Sequence, residues 1–251
     1  MFTGLTTGCS DKSFAFRNGA GSTGANIDEV DGTVRQECSD QLKDLTLPIK
    51  LLFVVDTSGS NAGVDGTDNN KVVRGQSIQE FFDLYKGKIN FNWAFNVFSG
   101  TTSNALIGAA SSQPAFTAQA TVMQNAITNF RGIVDGGTTP YIAALDLAYT
   151  AIANDTNRTA QTKWVVVFIS DGLPNPDVPV STLTAKVSTI VNLIPGQVTF
   201  NTVYYGPTDA TAAGRLQAMA STGAGKFLNT NNSGRSFPIQ DVVSVPGTAC
   251  K

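Results

Sequence analysis

Residues 51–55, Leu-Leu-Phe-Val-Val, constrain the fold of this chain more than any other stretch. The run is short and wholly apolar, with Pro48 before it and a Ser-Gly-Ser turn after it. Such a run predicts a strand buried on both faces, as in the middle of a parallel sheet. Asp56, Ser58 and Ser60 follow at alternate positions in the loop that leaves the strand. Ligands of open α/β sheets bind at the carboxyl ends of the strands, so this loop is a candidate binding site.

The rest of the chain alternates predicted strands with predicted helices. Further strands are predicted over 89–98, 105–107, 163–169, 198–205 and 226–229, and helices over 71–86, 117–130, 141–153, 180–194, 209–220 and 237–243. This alternation implies a parallel sheet covered on both faces. We predict a doubly wound, mostly parallel six-stranded sheet with helices on both faces, in which 105–107 forms a short antiparallel edge strand. The α/β domain is assigned to residues 47–251, after a polar N-terminal extension over 1–46.

Within that extension, residues 19–24 fit the pattern Gly-x-Gly-x-x-Gly. A dinucleotide site needs a strand before this pattern and an apolar-periodic helix after it. Residues 26–34 do not have that period, so we interpret the glycines as part of a flexible or partly β extension.

The composition excludes several classes of function. The chain has no histidine, which removes Ser-His-Asp and Cys-His catalysis and histidine-ligated zinc or iron. Charged residues make up 14% of the chain, the net charge is −2, and lysine and arginine do not cluster, so nucleic acid is not an expected partner. No apolar run is long enough to span a bilayer. Low charge with abundant Ser, Thr, Asn and Gly is typical of surface or secreted proteins.

Three segments together resemble the metal-ion-dependent adhesion site of von Willebrand factor type A domains, also called integrin I-type domains. Residues 56–60 match the family's Asp-x-Ser-x-Ser element, residues 136–138 its Gly-Gly-Thr element, and residues 170–172 its Asp-Gly element. Each segment falls on a different loop at the predicted carboxyl edge of the sheet. The resemblance covers residues 47–243 in the family's element order and implies that family's Rossmann-like fold.

The resemblance implies a set of metal ligands with two carboxylates and three hydroxyls: Asp56, Ser58, Ser60, Thr138 and Asp171. Such a hard oxygen site suits Mg²⁺ best, and also Mn²⁺ or Ca²⁺, rather than zinc. Thr139 is an alternative ligand to Thr138. In the opposite interpretation, the two aspartates cap helices and the hydroxyls satisfy loop amides. In the loop that follows, Asp65 and Asp68 form either a second cation site or a solvated stretch.

In the family, an acidic side chain of a partner protein completes the coordination of the metal. The resemblance therefore implies a monomeric cell-surface or secreted adhesion domain that captures a protein ligand presenting Asp or Glu. The alternative is a structural scaffold of a surface complex, in which the metal only stabilises the loops. An aspartate-nucleophile phosphatase needs a second aspartate where Ser58 stands, so no enzyme activity is expected.

The three cysteines are too scattered for a zinc motif. Residues 5–9 resemble a loose bacterial lipobox, so Cys9 is a lipid anchor of an outer-membrane lipoprotein, a spare thiol or a disulfide partner. In the fold that the resemblance implies, both chain ends emerge opposite the metal loops. That arrangement favours a disulfide between Cys38 and Cys250, with free buried thiols as the alternative.

Overall fold

Strands and helices alternate along residues 47–230 and 234–243, which are the residues that the computed structural model describes. The strands are β1 (Ile49–Asp56), β2 (Phe91–Ser99), β3 (Thr102–Ala105), β4 (Gly108–Ala110), β5 (Gln113–Pro114), β6 (Lys163–Ser170), β7 (Val198–Tyr204) and β8 (Ala224–Asn229). The helices are α1 (Val72–Tyr85), α2 (Ala120–Gly132), α3 (Tyr141–Ala153), α4 (Val180–Val191) and α5 (Ala210–Thr222).

Six strands form one sheet in the order β3-β2-β1-β6-β7-β8. All neighbouring pairs are parallel except β2 with β3. The predicted architecture is confirmed, including the short antiparallel edge strand. Strand β1 lies inside the sheet, and all eight of its residues are buried, as its apolar run predicts.

The sheet has a hydrophobic core on each face because alternate side chains of a strand point to opposite sides. Leu51, Phe53 and Val55 pack with α1, α2 and the segment near residue 240. Leu52 and Val54 pack with α3, α4 and α5. Both faces of β1 are thus buried. The polar residues that follow it emerge from the sheet at its carboxyl end.

The edge strand lies at Thr102–Ala105 instead of 105–107. Gly100 has a φ of +62°, which allows a tight turn that pairs Ser99 with Thr102 directly. The short β4–β5 pair was not predicted. The predicted helix over 237–243 is wrong, because only a 3₁₀ turn forms there, at Ile239–Asp241.

The predictions about the extension over 1–46, the lipobox, and Cys9, Cys38 and Cys250 lie outside the described residues, and they stay predictions. None of the helices in the described part of the chain is both long and apolar enough to cross a membrane.

A substitution at Phe168 tests the packing around the carboxyl end of β6. This side chain is fully buried, and its ring centroid lies 5.1 Å from that of Phe98 and 4.9 Å from that of Tyr141. Phe168→Ala should lower the free energy of unfolding by about 3–5 kcal/mol, measured by urea denaturation. Ile89→Ala is the control, since Ile89 is 93% exposed and its truncation should cost about 0.5 kcal/mol or less. A similar cost for both variants would contradict this account of the core.

Candidate functional site

Two aspartates leave neighbouring parallel strands at the same edge of the sheet. Asp56 is the last residue of β1, and Asp171 directly follows β6. The strands are in register, with Val55 opposite Ile169. Asp56 is fully buried and Asp171 is 3% exposed. The fold therefore forces two acidic side chains together, out of contact with bulk water.

Three serines surround these carboxylates, and the Ser58 amide with the Ser58 and Ser60 hydroxyls links one carboxylate to the other. Ser170 Oγ donates to Asp56 Oδ2 at 2.6 Å, and the Ser58 amide donates to Asp56 Oδ1 at 2.8 Å. Ser60 Oγ donates to Asp171 Oδ1 at 2.9 Å and lies 3.1 Å from Ser58 Oγ. Four of the five predicted ligands are thus brought together. Ser170 belongs to the same cluster, and the prediction missed it although it directly precedes Asp171.

Asp171 Oδ2 is the exception in this cluster. It is buried, and no described residue donates a hydrogen bond to it within normal distance. The Thr67 hydroxyl nevertheless contributes to lowering the pKa of Asp171. A buried carboxylate oxygen without a close donor is costly unless a further positive group approaches it.

The loop between α2 and α3 carries Thr138 and is fastened to the loop after β1. The Gly59 amide donates to Gly137 O at 3.0 Å, and the Gly136 amide donates to Thr57 O at 2.9 Å. Gly137 has a φ of +76°, and a Cβ there would lie 2.9 Å from the Gly100 backbone. Only glycine fits this approach without strain, which explains the glycine directly before the threonine.

The hydroxyl of Thr138 donates to Gly100 O instead of to the two aspartates. This hydrogen bond uses its proton and leaves the lone pairs of the oxygen available. Thr139, the alternative ligand, is 8% exposed, and its backbone pairs with that of Asn175. The backbone hydrogen bonds place the Thr138 loop beside the cluster, whereas its side chain makes no hydrogen bond to the two carboxylates.

Burial disfavours the charged forms of both aspartates, and the charge of Asp171 adds to this effect at Asp56. Burial, and next the charge of Asp171, raise the pKa of Asp56 from 3.8 to about 7. Burial also raises the pKa of Asp171, although the Thr67 hydroxyl, the hydrogen bond from Ser60 and the charge of Arg74 oppose the shift. The site therefore favours a bound cation or a bound proton.

Both predictions for Asp68 are wrong. It is 3% exposed, and its carboxylate accepts hydrogen bonds from the Val73 and Arg74 amides at 2.7 and 2.9 Å, so it caps α1. It also forms an ion pair with Arg74 at 2.7 Å. Asp65 is exposed, as expected for a solvated loop. Within the described residues, no group of three or more His, Cys, Asp or Glu side chains is placed to hold a metal.

A cleft of about 500 Å³ opens beside the cluster. Its walls come from the loop after β1, the loop before α3 and the loop after β6, and they include Ser60, Thr138, Thr139, Leu173, Pro174, Asn175 and Asp177. The candidate ligands Ser60 and Thr138 therefore face a space that a partner can enter. Asp177 at this cleft is paired with Arg215 at 2.6 Å.

The raised pKa of Asp56 predicts how pH changes the stability of metal-free protein. Between about pH 4 and pH 7 the folded state binds more protons than the unfolded state, so the free energy of unfolding should fall through this window as pH rises. Urea denaturation in chelator at several pH values measures this slope. Asp56→Asn should remove much of it, whereas Asp146→Asn at an exposed position should not. An identical slope in wild type and Asp56→Asn would contradict the assignment.

A comparison with protein-family models finds no match for this sequence, and neither does a comparison with curated proteins. Solved structures do match. The von Willebrand factor domain of the type V pili tip protein Mfa5 from Porphyromonas gingivalis has a TM-score of 0.57 at 12% identity, with 78% of this chain and 94% of that chain covered.

Manganese-loaded TRAP protein from Plasmodium vivax matches with a TM-score of 0.52 at 17% identity, and the match covers 70% of this chain and 63% of that one. The pilus adhesin SpaC from Lactobacillus rhamnosus GG, in its open conformation, matches with a TM-score of 0.51 at 14% identity. This match covers 73% of this chain and 28% of that one. The match thus spans less than two thirds of the TRAP and SpaC chains. At these identities the likeness establishes the architecture: the chain has the fold of a von Willebrand factor type A domain.

Proposed function

We propose that this domain binds a divalent cation and uses it to capture an acidic side chain of a partner protein. The cation is held by the two carboxylates and three hydroxyls of Asp56, Ser58, Ser60, Thr138 and Asp171. The observation that carries this proposal is the pair of buried aspartates on adjacent strands, one of which keeps an oxygen without a close hydrogen-bond donor.

The residues present fit a hard cation. Carboxylate and hydroxyl oxygens are the ligands that Mg²⁺, Mn²⁺ and Ca²⁺ prefer, and Mg²⁺ is the expected ion. Thr138 and Ser60 already give their protons to Gly100 O and Asp171 Oδ1, so their lone pairs remain for a metal. A divalent charge also favours the ionised form of Asp56, which burial, and next the charge of Asp171, disfavour. The bound ion supplies a positive, ligand-accepting point at the mouth of the cleft.

The count of ligands leaves room for an acidic partner, because a carboxylate oxygen is a ligand that a hard cation prefers. Two ionised aspartates balance the charge of the cation, and five protein oxygens leave one position of an octahedral ion open. The adjoining cleft gives an incoming side chain access to that position. Because its lining combines Leu173 and Pro174 with hydroxyl and amide groups, it suits a peptide segment of a folded partner.

The similar structures support a role in adhesion at the cell surface or outside the cell. One is a pilus tip protein and another a pilus adhesin, while a third, TRAP, was solved with manganese bound. We place this domain in the same setting, as a non-enzymatic, monomeric binding module. In the alternative scaffold function, the cation stabilises the loops without contacting a ligand.

Isothermal titration of purified protein with Mg²⁺ and Mn²⁺ tests the metal site. Asp56→Asn and Asp171→Asn should each weaken binding by about 100-fold or more, because each removes half of the negative charge. Thr138→Ala should weaken it more than Thr139→Ala. Asp177→Asn is the matched control, since this carboxylate lies at the cleft and pairs with Arg215. The affinity of this variant for the metal should stay within about twofold of the wild-type value. Equal affinity in wild type and both site variants would contradict the proposal.

Ligand capture can be tested with a simple carboxylate. N-acetylglutamate should displace water from protein-bound Mn²⁺ and lower the water-proton relaxation rate, whereas N-acetylglutamine should not. The charged ligand is favoured because only it supplies an anionic oxygen to the open metal position. If Mn²⁺ raises the unfolding temperature and neither compound changes the relaxation rate, the scaffold function is favoured over ligand capture.

A further inference from the structure

A buried cluster of four charged side chains lies next to the candidate cation site. Lys71 directly precedes α1 and Arg74 lies in its first turn. Asp68 comes from the loop before the helix, and Asp135 from the loop between α2 and α3. These side chains are between 0% and 5% exposed. The cluster is neutral as a whole, and none of its members is among the proposed metal ligands.

Arg74 connects three segments that converge on the site. Its Nε donates to Asp68 Oδ2 at 2.7 Å, and its Nη2 donates to Asp135 Oδ2 at 2.9 Å. Its Nη1 donates to the main-chain oxygen of Asp56. The guanidinium also lies 5.8 Å from the ring centroid of Phe130 and 5.6 Å from that of Tyr205. The position of the guanidinium is therefore fixed on every side by contacts from distant parts of the chain.

Asp135 is held from two directions. Lys71 Nζ lies 2.9 Å from Asp135 Oδ1 and also donates to Ile133 O, while Arg74 binds the other carboxylate oxygen. Lys71 takes up the left-handed conformation with a φ of +56°, which is unfavourable for a lysine. The strained residue is thus the one whose side chain holds Ile133 and Asp135, directly before Gly136.

A buried ion pair is weak evidence for stability, because the cost of removing charges from water offsets much of their attraction. These contacts are instead directed at the backbone of the site. One arm of Arg74 holds the main chain at Asp56, and the other holds Asp135, which is three residues before Thr138.

We propose that Arg74 and Asp135 are positioning residues, whose ion pair holds the loops of Asp56 and Thr138 at the separation that cation binding requires. The part about the cation rests on the proposed function; the part about the loops does not.

The chain contains a matched control. Lys50 and Asp155 form another buried ion pair, with a distance of 2.6 Å and side chains 3% and 7% exposed. Lys50 lies at the amino end of β1, at the opposite edge of the sheet from Asp56. Asp155→Asn should destabilise the fold in the same general way as Asp135→Asn without reaching the site loops.

Hydrogen exchange of metal-free protein tests the effect on the loops. The Gly59 and Gly136 amides make the two hydrogen bonds that fasten these loops together. In Asp135→Asn their exchange should be about tenfold faster relative to the amides of β1, whereas Asp155→Asn should leave that ratio unchanged. Arg74→Lys keeps the charge but loses the forked geometry of the guanidinium. It replaces Asp135→Asn if that variant does not fold, and the same faster exchange of the Gly59 and Gly136 amides is expected.

Mn²⁺ titration of the same variants tests the consequence for the cation. Asp135→Asn should raise the dissociation constant by about 10- to 100-fold, as expected for a residue that orients ligands, and Asp155→Asn should change it by less than about twofold. If wild type binds no Mn²⁺, the proposed function fails while the exchange data still decide the role of the ion pair. Wild-type exchange at Gly59 and Gly136 in both Asp135→Asn and Arg74→Lys would overturn the inference.

Discussion

The burial of two carboxylates that the sheet brings together dominates this site, and the repulsion between them adds to its cost. Asp56 and Asp171 end up side by side because β1 and β6 are parallel neighbours in register, and both are apolar over the residues that lead to the carboxyl edge. The packing of two hydrophobic cores fixes that geometry regardless of its electrostatic cost. Hydroxyl groups reduce the cost, and a raised pKa of Asp56 reflects what remains of it. A cation between the carboxylates would offset the remaining electrostatic cost. We therefore interpret the carboxyl edge of the sheet as a binding site.

Around this pair, contacts distant in sequence bring the surrounding loops together. Two backbone hydrogen bonds join the loop of Gly59 to that of Gly137, and Gly137 is essential for their close approach. Arg74 then connects the backbone at Asp56 to Asp135. The loops are arranged before any ligand arrives, so less conformational entropy is lost when one binds. Pre-organisation of this kind is what a site with only two charged ligands needs to hold a strongly hydrated ion.

The sequence predicts the sheet and most of the cluster for separate reasons. Short apolar runs identify β1 and β6, and alternate Asp and Ser residues identify the loop after β1. Thr138 and Asp171 are found only through the family motif, since neither stands out in its local pattern. The Arg74–Asp135 pair joins residues 61 positions apart, and no local pattern predicts such a contact. The predicted helix over 237–243 fails because seven residues are too few for the helical period to be distinguished from a buried turn.

The central claim is that Asp56 and Asp171 share a cation with an open position. A crystal structure grown with Mn²⁺ tests it most directly, because manganese is located by its anomalous scattering. We predict a peak between the two carboxylates, roughly 2 Å from oxygens of the five proposed ligands, with water or a carboxylate in the sixth position. A site without a peak at saturating Mn²⁺, or one with every coordination position filled by this chain's own oxygens, would contradict the account.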